Sequence, residues 1–297
     1  MNRITEIYKT KQAPLISFEI SPPKTSLELD ALYKMLQKLN LKAGDVDYIS
    51  VTYGAGGTGN QENTRLIAEY IQNKYQITTL HNLTSIKQTP HSLKACLESI
   101  RVAGIENIFA LRGDLQESDC ISKYYPFAKD LIREIKQYGY FDVGAAIHPE
   151  IATKKDVPGN NLDVVKEKVA RGTNFFISQL FFDNSVFYDM QNVLKENDIE
   201  TPVSAGIVPI VSREQMAHLT SISGASVPER LANLVHKYGD DAAGLREAGM
   251  EYALDQIYDL LAHGVDGIHL YAMNQLTILQ TMIPKINKHI ELKKFNV

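Results

Sequence analysis

Eight short apolar runs alternate with segments of helical period along the chain, and this alternation is the strongest constraint on what the 297 residues can fold into. The runs are Leu15–Ile20, Tyr48–Tyr53, Ile77–Leu83, Ile108–Leu111, Val143–Ile147, Phe175–Phe181, Val203–Val208 and Gly267–Tyr271. Between them, helices are predicted over Leu27–Leu39, Glu62–Lys74, Ser92–Ala103, Phe127–Tyr138, Leu162–Arg171, Ser185–Glu196 and Arg213–Ser221. A longer helical region, Pro228–Ala262, precedes the last run, and a final helix starts near Leu276. Gly104, Gly139, Gly172 and Gly264 each close a helical stretch just before a run, where a C-cap glycine belongs. Alternating β and α implies a parallel sheet. Eight units in this length predict a (β/α)8 TIM barrel, with an open doubly wound sheet as the alternative. With no linker, low-complexity segment or strong repeat, residues 1–297 read as a single barrel domain.

Composition excludes several classes of function. A net charge of −4 leaves no electrostatic footprint for nucleic acid. The basic residues between Lys285 and Lys294 are interrupted by apolar ones and read as a solvated helix face. Cys96 and Cys120 make no disulfide framework. The N-terminal segment has no apolar signal region, and no apolar run reaches the ~18 residues of a membrane span. A reduced, soluble, cytoplasmic protein is the expectation. No interface signature is visible, although barrels of this kind often form homo-oligomers.

Gly54-Ala55-Gly56-Gly57-Thr58-Gly59 matches the dinucleotide pattern G-x-G-x-x-G between a strand and a helix. That motif also requires an acidic residue ending the next strand, which here reads Leu80-His81-Asn82-Leu83. A glycine-rich barrel loop is the simpler reading.

In a barrel the chemistry gathers at the C-terminal ends of the strands. Those ends offer Glu19; Thr52 and Tyr53; His81, Asn82 and Thr84; Arg112, Gly113 and Asp114; His148 and Glu150; Gln179; Gly206; and Tyr271, with Asn274 just beyond. Each alone has a structural explanation. His81 could be a core histidine, Arg112 could pair with Asp114, and His148-Pro149-Glu150 lacks the partner a metal site needs. Together they predict a polar, ligand-binding mouth. Glu19 is the most pointed case. A carboxylate in an apolar strand needs a partner, a raised pKa or a catalytic task.

Several of these segments carry a family likeness. Ser17-Phe18-Glu19-Ile20-Ser21-Pro22-Pro23-Lys24, Ile49-Ser50-Val51-Thr52-Tyr53-Gly54, Leu111-Arg112-Gly113-Asp114 and Gln179-Leu180-Phe181-Phe182-Asp183 resemble, in order and spacing, the methylenetetrahydrofolate reductases. Ala205-Gly206-Ile207-Val208-Pro209-Ile210 and Leu270-Tyr271-Ala272-Met273-Asn274 fit the same pattern, so the likeness runs from about residue 15 to 283. It implies a (β/α)8 barrel holding FAD. It also implies reduction of 5,10-methylenetetrahydrofolate to 5-methyltetrahydrofolate with NADH or NADPH, feeding methyl groups toward methionine. By this resemblance Glu19 is the general acid that opens the folate's five-membered ring, and Asp114 lies near flavin and pterin. Gln179 then serves folate and nicotinamide in turn, and Tyr271 walls the pocket. Thr52, His81, Asn82, Arg112, Gly113, Asp114, Ala128, Ala146, His148, Asn161 and Lys168 are the implied flavin positions.

The chain departs from the enterobacterial-type pattern in places. The family's Pro-His-Leu-Thr corresponds to His81-Asn82-Leu83-Thr84, which displaces the histidine by one. His148 replaces a tyrosine, Asn161 an aspartate, Arg213 a stacking phenylalanine and Gln275 an arginine. Two alternatives follow. The chain could be the reductase subunit of a complex fed by an electron-transfer partner protein, or a non-catalytic folate- or flavin-binding barrel. The long C-terminal regulatory domain of eukaryotic relatives is not expected.

Overall fold

A computed structural model describes residues 3–23, 26–42, 44–53, 61–113, 122–151 and 161–294. Its strands are β1 (Leu15–Ile20), β2 (Tyr48–Val51), β3 (Thr78–Thr84), β4 (Asn107–Leu111), β5 (Asp142–Ile147), β6 (Phe175–Ser178), β7 (Val203–Ile207) and β8 (Gly267–Leu270). They close in sequence order into one parallel barrel, with β1 pairing both β2 and β8. All eight predicted strands are present, and the open-sheet alternative is excluded.

Period-two alternation sorts each strand's residues. Leu15, Tyr48, Leu80, Phe109, Phe175 and Ile177 form the cluster inside the barrel. Ile16, Phe18, Ile20, Ile49, Val51, Ile108, Val143, Phe176, Ala205 and Ile268 belong to the larger cluster between barrel and helices. Gly144 keeps the interior from overfilling, because a Cβ there would come within 2.6 Å of the Phe175 ring and 2.9 Å of Phe109.

The helices are α1 (Ile4–Thr10), α2 (Ser26–Leu39), α3 (Gln61–Tyr75), α4 (Pro90–Val102), α5 (Ala128–Tyr138), α6 (Leu162–Ala170), α7 (Asn184–Glu196), α8 (Arg213–Ser223), α9 (Glu229–Tyr238), α10 (Ala242–Ala262) and α11 (Leu276–Lys294). The region predicted as one long helix is two, α9 and α10. Asp241 caps the second by accepting from the N–H groups of Ala243 and Gly244. Helix α1 was not legible in the sequence. It seats Ile4 and Tyr8 against the barrel's N-terminal end, where the Ile4 N–H donates to Asn107 Oδ1 at 2.9 Å and the Thr5 N–H to Asp142 at 3.1 Å. No helix among the described residues is long and apolar enough to cross a membrane.

Candidate active site

Glu19 occupies the next-to-last position of β1, in register with Ser50 on β2. The interior-facing parity that buries Leu15 and Ser17 turns its side chain into the C-terminal mouth. It is half-buried, and no cation lies within ion-pair distance of it among the described residues. Burial alone pushes its carboxyl up to about 7, so it holds a proton near neutral pH.

The residues beside and beneath it are uncharged. Ser17 Oγ and His269 Nδ1 are 2.8 Å apart, and His269 stacks on Tyr48 with ring centroids at 6.2 Å. Burial lowers the His269 pKa to about 3, so it is a neutral imidazole. Tyr271 crosses His269 edge-on at 5.1 Å and donates its hydroxyl to the Ser178 carbonyl at 2.8 Å. Its own pKa is raised by burial and then by the neighbouring Glu19. Gly206 makes room for that ring, since a Cβ there would lie 2.5 Å from Tyr271 Cε2 and 2.3 Å from the Ser178 carbonyl oxygen. Ser17 and His269 are site neighbours that sequence reasoning missed. Their signal was parity: each shares a strand face with a residue that was recognised, Glu19 and Tyr271 respectively.

On the opposite side of the ring, around the ends of β4 and β5, lie the cations Lys168 and Arg112. Lys168 of α6 is almost wholly buried, yet among the described residues its ammonium has one partner, the Ala146 carbonyl at 2.7 Å. Desolvation lowers its pKa to about 8. His148 is lowered to about 4, by burial first and then by the Lys168 charge. Arg112 is exposed at the end of β4, with no carboxylate within ion-pair reach among the described residues. Gly113 follows at φ +89, a conformation that favours glycine. Next to it, Thr84 carries a buried hydroxyl without a hydrogen-bond partner among the described residues.

Between these two sides, Thr52 is half-buried at the end of β2, and Asn82 accepts from Ser50 Oγ at 2.9 Å inside the barrel. Gln179 ends β6. Its Oε1 accepts from the Leu180 N–H at 3.0 Å, which leaves the amide nitrogen available to a ligand. Ala128 opens α5. Asp114 and the Gly54–Gly59 loop lie outside the described residues.

Three positions have structural surroundings or partners that the sequence did not suggest. His81 is in register with Val51 and Ile108, both on the helix-facing side. It is therefore buried behind the wall, near Arg65 of α3, and neither ring nitrogen has a side-chain partner among the described residues. The one-residue displacement seen in the sequence has the consequence strand geometry demands, because a shift of one changes the face. Asn161 is the N-cap of α6 and accepts from the Val164 N–H at 3.1 Å, so its carbonyl oxygen serves the helix. Arg213 turns toward the α9–α10 junction. Its guanidinium lies against Gly239, 3.5 Å from the His236 carbonyl and 3.7 Å from Asp240. Among the described residues no cluster of His, Cys, Asp and Glu could hold a metal ion.

Fold and mouth together define a parallel barrel that sets a protonated carboxyl on one side of its C-terminal opening and, on the other, cations without a counter-charge among the described residues. Residues 3–287 match the family model described as methylenetetrahydrofolate reductase, and the chain belongs to that family. A curated relative from Buchnera aphidicola, named 5,10-methylenetetrahydrofolate reductase, is 30% identical over 262 residues, covering 88% of each chain. Methylenetetrahydrofolate reductase 1 of Schizosaccharomyces pombe is 29% identical over 281 residues. That match takes in 93% of this chain but 46% of the yeast protein, so the chain spans about half the length of that relative. A solved structure from Clostridium thermocellum, described as binding two copies of 5-methyl-5,6,7,8-tetrahydrofolic acid, has a TM-score of 0.65 at 14% identity. It covers 96% of this chain and 99% of its own, and it supports the fold.

Proposed function

We propose that the chain reduces 5,10-methylenetetrahydrofolate to 5-methyltetrahydrofolate, with FAD as carrier, NADH or NADPH as donor and Glu19 as general acid, and that the product supplies methyl groups for methionine. The observation that carries this reading is the lone carboxyl of Glu19, held protonated near neutral pH by burial in the mouth. Opening the imidazolidine ring requires a proton on the departing nitrogen, and an acid with its pKa near the working pH delivers one efficiently.

The β4–β5 side fits a flavin dinucleotide. Lys168 is a buried ammonium with no anion of its own among the described residues, Arg112 is an exposed guanidinium, and the Thr84 hydroxyl lacks a partner. An anionic diphosphate would satisfy the cations, and the glycine at 113 allows its backbone to approach a ligand closely. Bound FAD would supply a hydride carrier between nicotinamide and folate. The chain's residues do the rest. Glu19 gives up its proton at a carboxyl oxygen, the Gln179 amide nitrogen orients either ligand, and Tyr271 closes one wall of the pocket. Asp114, assigned on the family likeness, would stabilise the cationic iminium formed on the folate.

A second reading, in which a partner protein delivers the electrons, is favoured by Arg213. Where the family likeness implies a ring to stack on ligands, this chain has a guanidinium turned toward the α9–α10 junction. The visible spectrum of the purified protein, kept anaerobic, separates these readings. Bleaching of flavin bands by NADH or NADPH, reversed by methylenetetrahydrofolate, is the expected result. Bands that persist with both nicotinamides support the partner-fed reading, and their absence after FAD addition removes the flavin assignment.

A further inference from the structure

We propose that Asn274 is the positioning residue for Glu19: its side-chain amide is the last rung on the β8 side of β1 and keeps the carboxyl inside the mouth. The catalytic consequence rests on the reading of Glu19 as proton donor; the positioning itself does not.

Peptide groups along β1 turn alternately to its two neighbours. The Ile16 and Ile20 carbonyls face β2 and accept from the N–H groups of Asp47 at 2.7 Å and Thr52 at 2.8 Å. Leu15 faces the β8 side, donating to the Asp266 carbonyl at 3.0 Å, and Ser21 shares its parity. The paired register with β8 stops at Phe18 and Leu270. Beyond it, the Tyr271 N–H goes to the Ile207 carbonyl of β7 at 2.9 Å. Pro22 and Pro23 have no N–H to continue the ladder. At Ser21 the backbone of β8 is therefore gone, and the Asn274 side chain replaces it. Its Oδ1 accepts from the Ser21 N–H at 2.9 Å and its Nδ2 donates to the Ser21 carbonyl at 2.8 Å. A primary amide carries the same donor and acceptor as a peptide group, so it can stand in for a missing strand residue.

The backbone at this point is strained. Met273 and Asn274 have φ of 48 and 57, two successive non-glycine residues in the left-handed region. Such conformations persist where the surroundings over-determine them, and the two bonds to Ser21 do so here.

Glu19 lies two residues before Ser21, on the same strand face. The titratable groups on the flanking strands are Tyr48 of β2, His269 of β8 and Tyr271 just beyond β8, and none of them is a cation at neutral pH. Among the described residues no charge holds the Glu19 proton in place, so its retention depends on exclusion of water. A strand end released at Ser21 would admit water to the carboxyl.

The test is Asn274→Gly, which removes both rungs while suiting the left-handed backbone. Protein labelled at glutamate carboxyls is titrated by NMR, with the Glu19 signal identified by its loss in Glu19→Gln. In the unaltered chain the signal is expected to titrate near neutral pH, and in Asn274→Gly its midpoint should fall toward the ordinary carboxylate range. The alkaline limb of the folate-reduction rate should move down with it, while flavin reduction by nicotinamide keeps its rate. A midpoint equal in both proteins, or an ordinary midpoint in the unaltered chain, overturns the inference. A midpoint that moves while the alkaline limb stays in place upholds Asn274 and removes Glu19 as the donor. Loss of thermal stability alone would not shift the titration of the molecules that remain folded.

Discussion

The two ends of the barrel treat polar groups in opposite ways. At the N-terminal end, side chains close the backbone's open valences. Asp47 accepts from the Ile16 N–H at 2.6 Å, Asn174 from Val143 at 2.9 Å and Asp266 from Val203 at 2.9 Å. Helix α1 completes this seal on Asn107 and Asp142, and Lys11 pairs with Asp47 at 2.5 Å. At the C-terminal end, Glu19 has no cation, Lys168 no anion and the Thr84 hydroxyl no partner among the described residues. A buried ammonium and a carboxyl that are both left without a counter-charge cost stability, so the end that holds them is the one suited to a ligand. The N-terminal end is where stability is recovered.

If that division holds, substitutions at the two ends should separate rate from stability. The largest effect is expected for Glu19→Gln, a fall of about 10²- to 10⁴-fold in reduction of methylenetetrahydrofolate, measured by rapid-mixing absorbance. Flavin reduction by the nicotinamide should stay within a few-fold. The same substitution should not lower stability. A carboxyl raised to about 7 when folded contributes stability that is present below its ordinary range and lost as pH rises through about 7. Glu19→Gln should therefore melt higher than the unaltered chain on the alkaline side and match it on the acid side.

Asp142→Ala tests the opposite end. It strips the partner from the Thr5 N–H and hydroxyl and from Arg3 in a nearly closed site. A loss of about 2–3 kcal/mol in urea unfolding is expected, with turnover per folded molecule unchanged. A comparable loss of turnover would mean that the two ends are coupled.

Lys168→Met sharpens the comparison at the mouth. Removing a charge-assisted partner should weaken FAD binding by about tenfold or more, read by fluorescence titration. The ligand-free chain should be no less stable, because an isolated buried ammonium has gone.

The smallest effect concerns His81, which belongs to neither end. Its pKa is lowered to about 4 by burial, so an unfolded chain takes up that proton first as pH falls. Stability is complete above the ordinary histidine range and lost on the way down to about 4. His81→Leu should change stability by less than about 1 kcal/mol at neutral pH. It should gain steadily on the unaltered chain as pH drops, which melting curves across that range would show. An equal pH response in both proteins would mean that His81 finds a partner after all.

The barrel was legible in the sequence because its cause is local. Each strand is an apolar run buried on both faces, each helix carries its own period, and glycines mark the joints between them. Glu19 was legible for the same reason, being a carboxylate where the run called for an apolar residue. Other assignments depended on contacts distant in sequence. Helix α1 looks unremarkable until residues 103 and 137 positions away accept its N–H groups. His81 and Asn82 are neighbours in the chain, yet strand pairing puts one behind the wall and the other inside the barrel. The capping task of Asn161, whose carbonyl oxygen accepts from Val164, shows only once α6 is in place. Asn274 acquires its place only when the last strand returns to the first, 253 residues away. Periodicity and residue type decide which segments are strands and which are helices. Closure of the barrel decides which side chains share the mouth, because face, register and neighbour are set only when distant segments pair.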